Sequence, residues 1–418
     1  MSKTASNNKM SAAPYDTVKF RVPNGSKEKL IQYATEHGYS LNALICDALS
    51  SFQHSLDGAV TEPPSEFYST DSINAASHLP RLENPGGHTV VSLYSGMGSI
   101  CLAFAQAGFD IVKAYEEDHA ACEAFRSLFG SARLAEGNLR CIDRDMIPDA
   151  EVIVSGFPPA PENKDYFDTF NYYEAAIMNI VNAVESIKPS FFYMELDDSD
   201  PSDDRTDHDS NALEDTKEYL YTLLKEKLSD LNYNVTLQAF KAPEWAPLPL
   251  SGKKRYIVAA LDDFGFSVFL GNSLNLCTYK PAVEMIQRSR KQDSFFYYRS
   301  NTELGRNVIS SVKSRNNLYL IRNGKVYDSP DGMCPMLCEA MINKRDAVAI
   351  RDDFGVRQLT PGEYLMFKGY PAGITFPSAL TLEDRYRLAG GSAVIPVTWA
   401  IAEYIKQYMD RRLLSSRQ

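Results

Sequence analysis

One pattern dominates the middle of the chain. Short apolar runs recur between residues 89 and 195, and each closes on a glycine or an acid at its end. Thr89-Val-Val-Ser-Leu-Tyr94 runs into Ser95-Gly-Met-Gly98 and then into an amphipathic helical segment over about 99–107. Phe109-Asp-Ile-Val-Lys-Ala-Tyr115 closes on Glu116, and Gly137-Asn138 follows. Glu151-Val-Ile-Val-Ser155 closes on Gly156-Phe-Pro-Pro159 and leads to a helix over 171–187, after which Phe191-Phe-Tyr-Met194 closes on Glu195. Continuous apolar strands alternating with helices predict an α/β fold with a doubly wound sheet covered on both faces. Such sheets build their sites at strand carboxyl ends, which is where these landmarks fall. The glycines let the backbone approach a ligand and leave the next helix's N–H groups free for it. An acid in the place of Glu116 commonly takes ribose hydroxyls.

Composition bounds the rest. With 418 residues, 44% of them hydrophobic and 23% charged, the chain can bury the cores of two or three domains, which excludes wholesale disorder and fibrous repeats. Seven cysteines, an odd count, and an opening Met-Ser-Lys-Thr-Ala-Ser-Asn-Asn-Lys without an apolar stretch point to a cytoplasmic protein. No run of about 18 apolar residues predicts a membrane span. The six histidines are scattered, and Cys334 and Cys338 form the only close cysteine pair, so no metal site is expected.

A formal charge of −11 speaks at first against nucleic acid, but its distribution does not. Residues 190–235 carry 4 basic and 13 acidic side chains, whereas 265–345 carry 12 basic and 6 acidic. The acidic run from Asp197 to Asp209 reads as a solvated loop, with a cation site as the second reading. An average over the chain therefore hides a basic region.

Residues 17–23, Thr-Val-Lys-Phe-Arg-Val-Pro, alternate strictly, with Val18, Phe20 and Val22 on one face and Thr17, Lys19 and Arg21 on the other. After the Asn24-Gly25 turn, Ser26 can cap a helix carrying Leu30, Ile31 and Ala34, and a second helix behind Ser40 carries a wide apolar stripe from Leu41 to Phe52. One strand and two short helices cannot bury these faces alone, so the unit is expected to dimerise through the strand. It resembles the ribbon-helix-helix DNA-binding fold, in which Thr17, Lys19 and Arg21 would face bases and Arg21 could take guanine bidentately. An ordinary αα-hairpin with a flanking strand is the competing reading. Residues 55–87, rich in Pro, Gly, Ser and Asn, read as a flexible linker.

The landmarks after residue 88 continue with Ser251-Gly-Lys-Lys-Arg-Tyr-Ile-Val-Ala-Ala260, Arg357-Gln-Leu-Thr-Pro-Gly-Glu-Tyr364, Lys368-Gly-Tyr-Pro371 and Gly390-Gly-Ser-Ala-Val-Ile-Pro-Val397. In this order and spacing they resemble the DNA cytosine-C5 methyltransferases over about residues 88–410. The resemblance implies a Rossmann-like S-adenosylmethionine (SAM) domain over 88–264, a small target-recognition lobe over 265–345, and a C-terminal part, 346–418, that completes the first. By it Tyr94, Ser95, Gly96, Gly98, Pro158 and Ser392 line the cofactor pocket and Glu116 holds the ribose. Asn138 stands where the family has Asp for the adenine amino group, and Gly391 where it has Asn.

Cytosine C5 is too poor a nucleophile to take a methyl group unless a thiolate first adds at C6. The family's thiol follows Pro at the fourth strand's end, with Gln next. Here Pro159 and Ala160 stand in those places, and a shift of one residue supplies no thiol either. Cys141 lies about 18 residues earlier, and nothing places it beside a flipped base. Glu195 keeps the position of the family's acid, but Leu196-Asp197 follow where Asn-Val is usual, and the Gln-x-Arg-x-Arg site reads Leu250-Ser-Gly-Lys-Lys254. A salt-bridged strand-end carboxylate is an equal reading of Glu195.

These residues together point to a pseudoenzyme: a catalytically inactive, SAM-responsive methyltransferase homologue that binds double-stranded DNA as a homodimer and regulates transcription. An active DNA methyltransferase with an unorthodox nucleophile and a non-catalytic partner of another methyltransferase are the alternatives.

Overall fold

The computed structural model describes residues 81–139, 146–157, 166–197, 208–261, 279–329, 332–339, 341–371 and 374–415, together with Lys27 and Ile31. Of the 1–54 module only those two residues are described, both helical and exposed. Thr17, Lys19 and Arg21 lie outside the described residues, as does the stretch from 55 to 80.

The landmarks fold into a seven-stranded sheet of order β3-β2-β1-β4-β5-β7-β6. Its strands are β1 (Thr89–Leu93), β2 (Asp110–Glu116), β3 (Leu134–Glu136), β4 (Val152–Ser155), β5 (Phe191–Asp197), β6 (Tyr233–Lys241) and β7 (Lys253–Leu261). Neighbours from β3 to β5 run parallel, and β7 runs antiparallel between β5 and β6. Strand order reverses between β1 and β4, so the chain leaves the sheet in opposite directions there and opens a crevice at the carboxyl ends.

Alternation along each strand sorts side chains onto two faces. Val90, Val152, Val154, Phe191 and Tyr193 share one core with α1 (Ser99–Gln106) and α9 (Ile395–Ser415). Val91, Ile153, Phe192 and Met194 share a second core with α3 (Tyr166–Ile187) and α4 (His208–Asp230). The remaining helices are α2 (His119–Phe129), α5 (Ala282–Met285), α6 (Glu303–Ser311), α7 (Pro361–Phe367) and α8 (Leu382–Gly391). The stretch Leu382–Arg412 is long and apolar enough to cross a membrane by length and composition, yet 78% of its most apolar window is buried inside the protein, as a core helix requires.

A second sheet, of order β11-β10-β8-β9, forms a small lobe from β8 (Tyr319–Arg322), β9 (Lys325–Asp328), β10 (Ala347–Arg351) and β11 (Val356–Gln358). Its strands thus lie on both sides of the 345/346 boundary drawn from charge and motif order. Val348 and Ile350 of β10 join the core shared with α1 and α9, while Ala349 packs with Val308 and Ile321 inside the lobe. One buried guanidinium holds the junction. Arg357 donates to Asp352 (2.8 Å) and bidentately to Glu363 (2.8 Å each), and Glu363 closes the capping box of α7 with Thr360. At the other end, Leu82 is buried and its carbonyl accepts from the Ile111 N–H (2.9 Å), so residues before 88 belong to the packed unit.

Candidate functional site

The turn after β1 is built of unusual backbone. Tyr94 has φ 46°, Gly96 56° and Gly98 90°, so three of five successive residues take left-handed values that L side chains rarely adopt. A Cβ on Gly98 would stand 2.6 Å from Phe129, whereas one on Gly96 would meet open space. The Ser95 N–H donates to the Tyr115 carbonyl (3.0 Å) and its hydroxyl lies 3.0 Å from the same oxygen, which ties the turn to β2. Tyr94 and Ser95 are buried.

Glu116, at the carboxyl end of β2, is turned back into this turn. Its carboxylate accepts from the N–H groups of Gly96 (2.6 Å), Glu117 (2.8 Å) and Asp118 (2.8 Å). Burial outweighs these donors and pushes its acid up to about 7. Asp118 caps α2 through the Ala120 and Ala121 N–H groups and pairs with Arg387 of α8. Asn138 is exposed just beyond β3. Ser392, buried at the end of α8, donates to the Leu388 carbonyl (2.7 Å). Ser99, at the start of α1, accepts from the Ala393 N–H (3.0 Å). The first turn of α1 and the segment before α9 thereby meet across the same crevice. The structure brings Tyr94, Ser95, Gly96, Gly98 and Glu116 together at one turn, with Ser392 next to the segment that meets Ser99. Pro158, Pro159 and Ala160 lie outside the described residues.

Glu195 lies within β5, which runs two residues further to Asp197, and is engaged within the protein. It pairs with Lys254 (3.0 Å), accepts from the Thr398 hydroxyl (2.7 Å) and accepts from the Val394 N–H (3.0 Å). The side chains of both ions are nearly inaccessible, at 6% for Lys254 and 2% for Glu195. Lys254 also donates to the Ser392 carbonyl (3.4 Å). Sequence reasoning singled out Lys254 only as part of an eroded motif, because its partner lies 59 residues away on the neighbouring strand.

Three buried cysteines lie in environments that oppose thiol activation. Burial pushes Cys101 up to about 11 and Cys122 up to about 12, and raises Cys334 well above its ordinary range. A nucleophilic thiol needs the opposite shift. A separate cleft of about 430 Å³ lies on the small lobe, lined by Tyr297, Tyr298, Arg299, Arg351 and Phe354 among others.

A crevice at the carboxyl ends of a doubly wound sheet, an antiparallel strand inserted next to the outermost one, and a glycine turn facing an acid define a methyltransferase-type α/β protein. The chain belongs to the C-5 cytosine-specific DNA methylase family, whose pattern matches residues 88–407. It is 28% identical over 333 residues to the Type II methyltransferase M.Bsp6I of Bacillus sp., a match that covers 77% of this chain and 99% of that protein. It is 24% identical over 343 residues to M.SsoII of Shigella sonnei, covering 79% and 83% respectively. Among solved structures, a DNMT2 variant of Spodoptera frugiperda aligns at a TM-score of 0.56 with 16% identity, over 77% of this chain and all of that one. The Dnmt2 methyltransferase of S. pombe aligns at 0.54 with 16% identity, over 78% and 99%. At these identities the structural likeness concerns the fold.

Proposed function

We propose that this chain is a DNA-binding member of the family that does not transfer a methyl group and acts as a transcriptional regulator whose DNA affinity responds to S-adenosylmethionine. The carrying observation is chemical. In the sequence, Pro159 and Ala160 stand where the family's pattern has the thiol that the reaction needs and the residue after it. The engagement of Glu195 supports the same reading, since a buried carboxylate that already accepts from Lys254, Thr398 and Val394 has little acceptor capacity left for a base. Members of this family use S-adenosylmethionine. The left-handed Gly96 with open space above it and the carboxylate of Glu116 fit the glycine turn and ribose acceptor of such a nucleoside. Gly96, Gly98 and Glu116 would hold it, and when bound it supplies an electrophilic methyl group. Pairing of two chains through the 17–23 strand, with Arg21 at the bases, completes the proposal.

Incubation with SAM carrying a labelled methyl group and double-stranded DNA tests it. The expected result is SAM binding by calorimetry with no label transferred. Label in the DNA would establish the active alternative. Unchanged sequence-specific binding in Arg21→Ala would remove the N-terminal module from DNA recognition.

A further inference from the structure

The residue after the ribose acceptor does something different from it. Glu117 reaches away from the turn, and its Oε2 accepts from the Leu139 N–H (3.3 Å), just beyond β3. Its Oε1 accepts from the Tyr172 hydroxyl of α3. One carboxylate therefore joins three chain segments across the carboxyl ends of β2 and β3. In a doubly wound sheet ligands sit in the crevice outside those ends, and a backbone N–H there, such as that of Leu139, can donate to a ring nitrogen. Glu117 already occupies that donor.

Tyr172 leads further. Its ring packs edge-on against Tyr173 (5.6 Å between centroids, 69°), and Tyr173 packs against Phe157 (5.0 Å). Phe157 directly precedes Pro158-Pro159 in the sequence. A continuous set of contacts runs from the base end of the crevice to the end of β4.

We propose that Glu117 and Tyr172 form a latch over the base end of the nucleoside crevice, which a purine nucleoside must open, and that opening it acts through Tyr173 and Phe157 on the end of β4. This rests on the reading of the crevice as a nucleoside site. The latch supplies what a SAM-responsive protein without methyl transfer needs: a bistable contact whose two states differ in nucleoside affinity.

Calorimetric titration of S-adenosylmethionine into the full chain, Tyr172→Phe and Glu117→Ala tests the latch. Glu117→Ala removes both hydrogen bonds of the latch, including the one that occupies the Leu139 N–H, and Tyr172→Phe removes the one that braces Glu117 against α3, so both are expected to bind more tightly than the parent, Glu117→Ala by about tenfold and Tyr172→Phe by less. The Leu139 amide, followed by hydrogen exchange without ligand, is expected to exchange faster in Glu117→Ala while the amides of β1 and β4 keep their protection. Equal affinity in all three proteins overturns the latch and leaves the nucleoside site standing. Weaker binding in both variants overturns it as well, making Glu117 a ligand-reading residue instead. No binding by any of the three overturns the nucleoside reading and the latch together.

Discussion

Glu195 shows how a residue can keep its place in a family pattern while its contacts are spent on the fold. Lys254 neutralises it where neither side chain reaches water, and Thr398 and Val394 fill further acceptor positions. A buried pair of this kind contributes little net stability, but removal of one member leaves the other charge uncompensated. Lys254→Ala is therefore expected to lower unfolding free energy by about 3–5 kcal/mol, read from urea midpoints. Lys254→Arg, which keeps the charge, should recover much of that loss. If Lys254→Ala costs less than about 1 kcal/mol, the pair is not a structural lock and Glu195 regains its claim as a base contact. The sequence marked Glu195 because it closes an apolar run. It could not mark the pairing, which depends on β7 lying antiparallel beside β5 so that Glu195 sits opposite Tyr256 and Asp197 opposite Lys254.

At the scale of elements, the same distinction separates what was legible from what was not. Strands β1, β4 and β5 are buried on both faces, so continuous apolar runs announce them, whereas β2 is buried only at Ile111 and over Ala114–Glu116. By contrast β6 is an edge strand with mostly half-buried residues and polar Asn234, Thr236 and Gln238, and its pattern is too mixed to stand out. The strands of the small lobe are three to five residues long and are defined by their partners. Contacts that join elements are equally silent in sequence. His88, at the foot of β1, bonds Glu151 before β4 (2.8 Å) and Asp410 of α9 (3.0 Å), while Lys406 also pairs with Asp410. The hydrogen bond that His88 donates to Glu151 raises the His88 pKa above its ordinary 6.5 against the effect of burial. Hydrogen bonding by His88 likewise helps to lower Glu151, and that by Lys406 and His88 to lower Asp410. A raised histidine contributes stability that is full below its unfolded value and is lost as pH climbs through the folded one. The lowered carboxylates contribute above their unfolded values and lose it as pH falls. Stability from this cluster should peak between about pH 5 and 6.5 and decline toward pH 8.5. Urea midpoints measured across that range should fall in the parent and fall less in His88→Asn. Parallel profiles would show that the cluster does not couple β1 to α9 through protonation.

For the molecule as a whole, the net value of −11 hides an uneven distribution of charge. The described part of α4 and its approach belong to the acidic stretch, whereas the small lobe exposes Arg290, Lys291, Arg299, Arg306, Lys313 and Lys325. Some of the lobe's cations are committed internally, since Arg351 donates to the carbonyls of Val312 (2.8 Å) and Ile309 (3.0 Å), and Arg357 is wholly buried. The exposed ones are tied more loosely, Arg306 to the Ser300 carbonyl (3.2 Å) and Lys291 over the Phe354 ring (6.0 Å), so Lys291 and Arg299 can be exchanged with little effect on stability. If the lobe meets DNA, binding must weaken steeply with salt, because each phosphate neutralised releases condensed counterions. Lys291→Gln combined with Arg299→Gln is then expected to reduce the slope of log affinity against log salt by about 2. The parent's urea midpoint should be kept. An unchanged slope would move the DNA-binding surface off this lobe and onto the N-terminal 54 residues, whose six cations, Lys19 and Arg21 among them, would then have to supply the salt dependence. The two outcomes are separable, because Arg21→Ala lowers the slope only in the second.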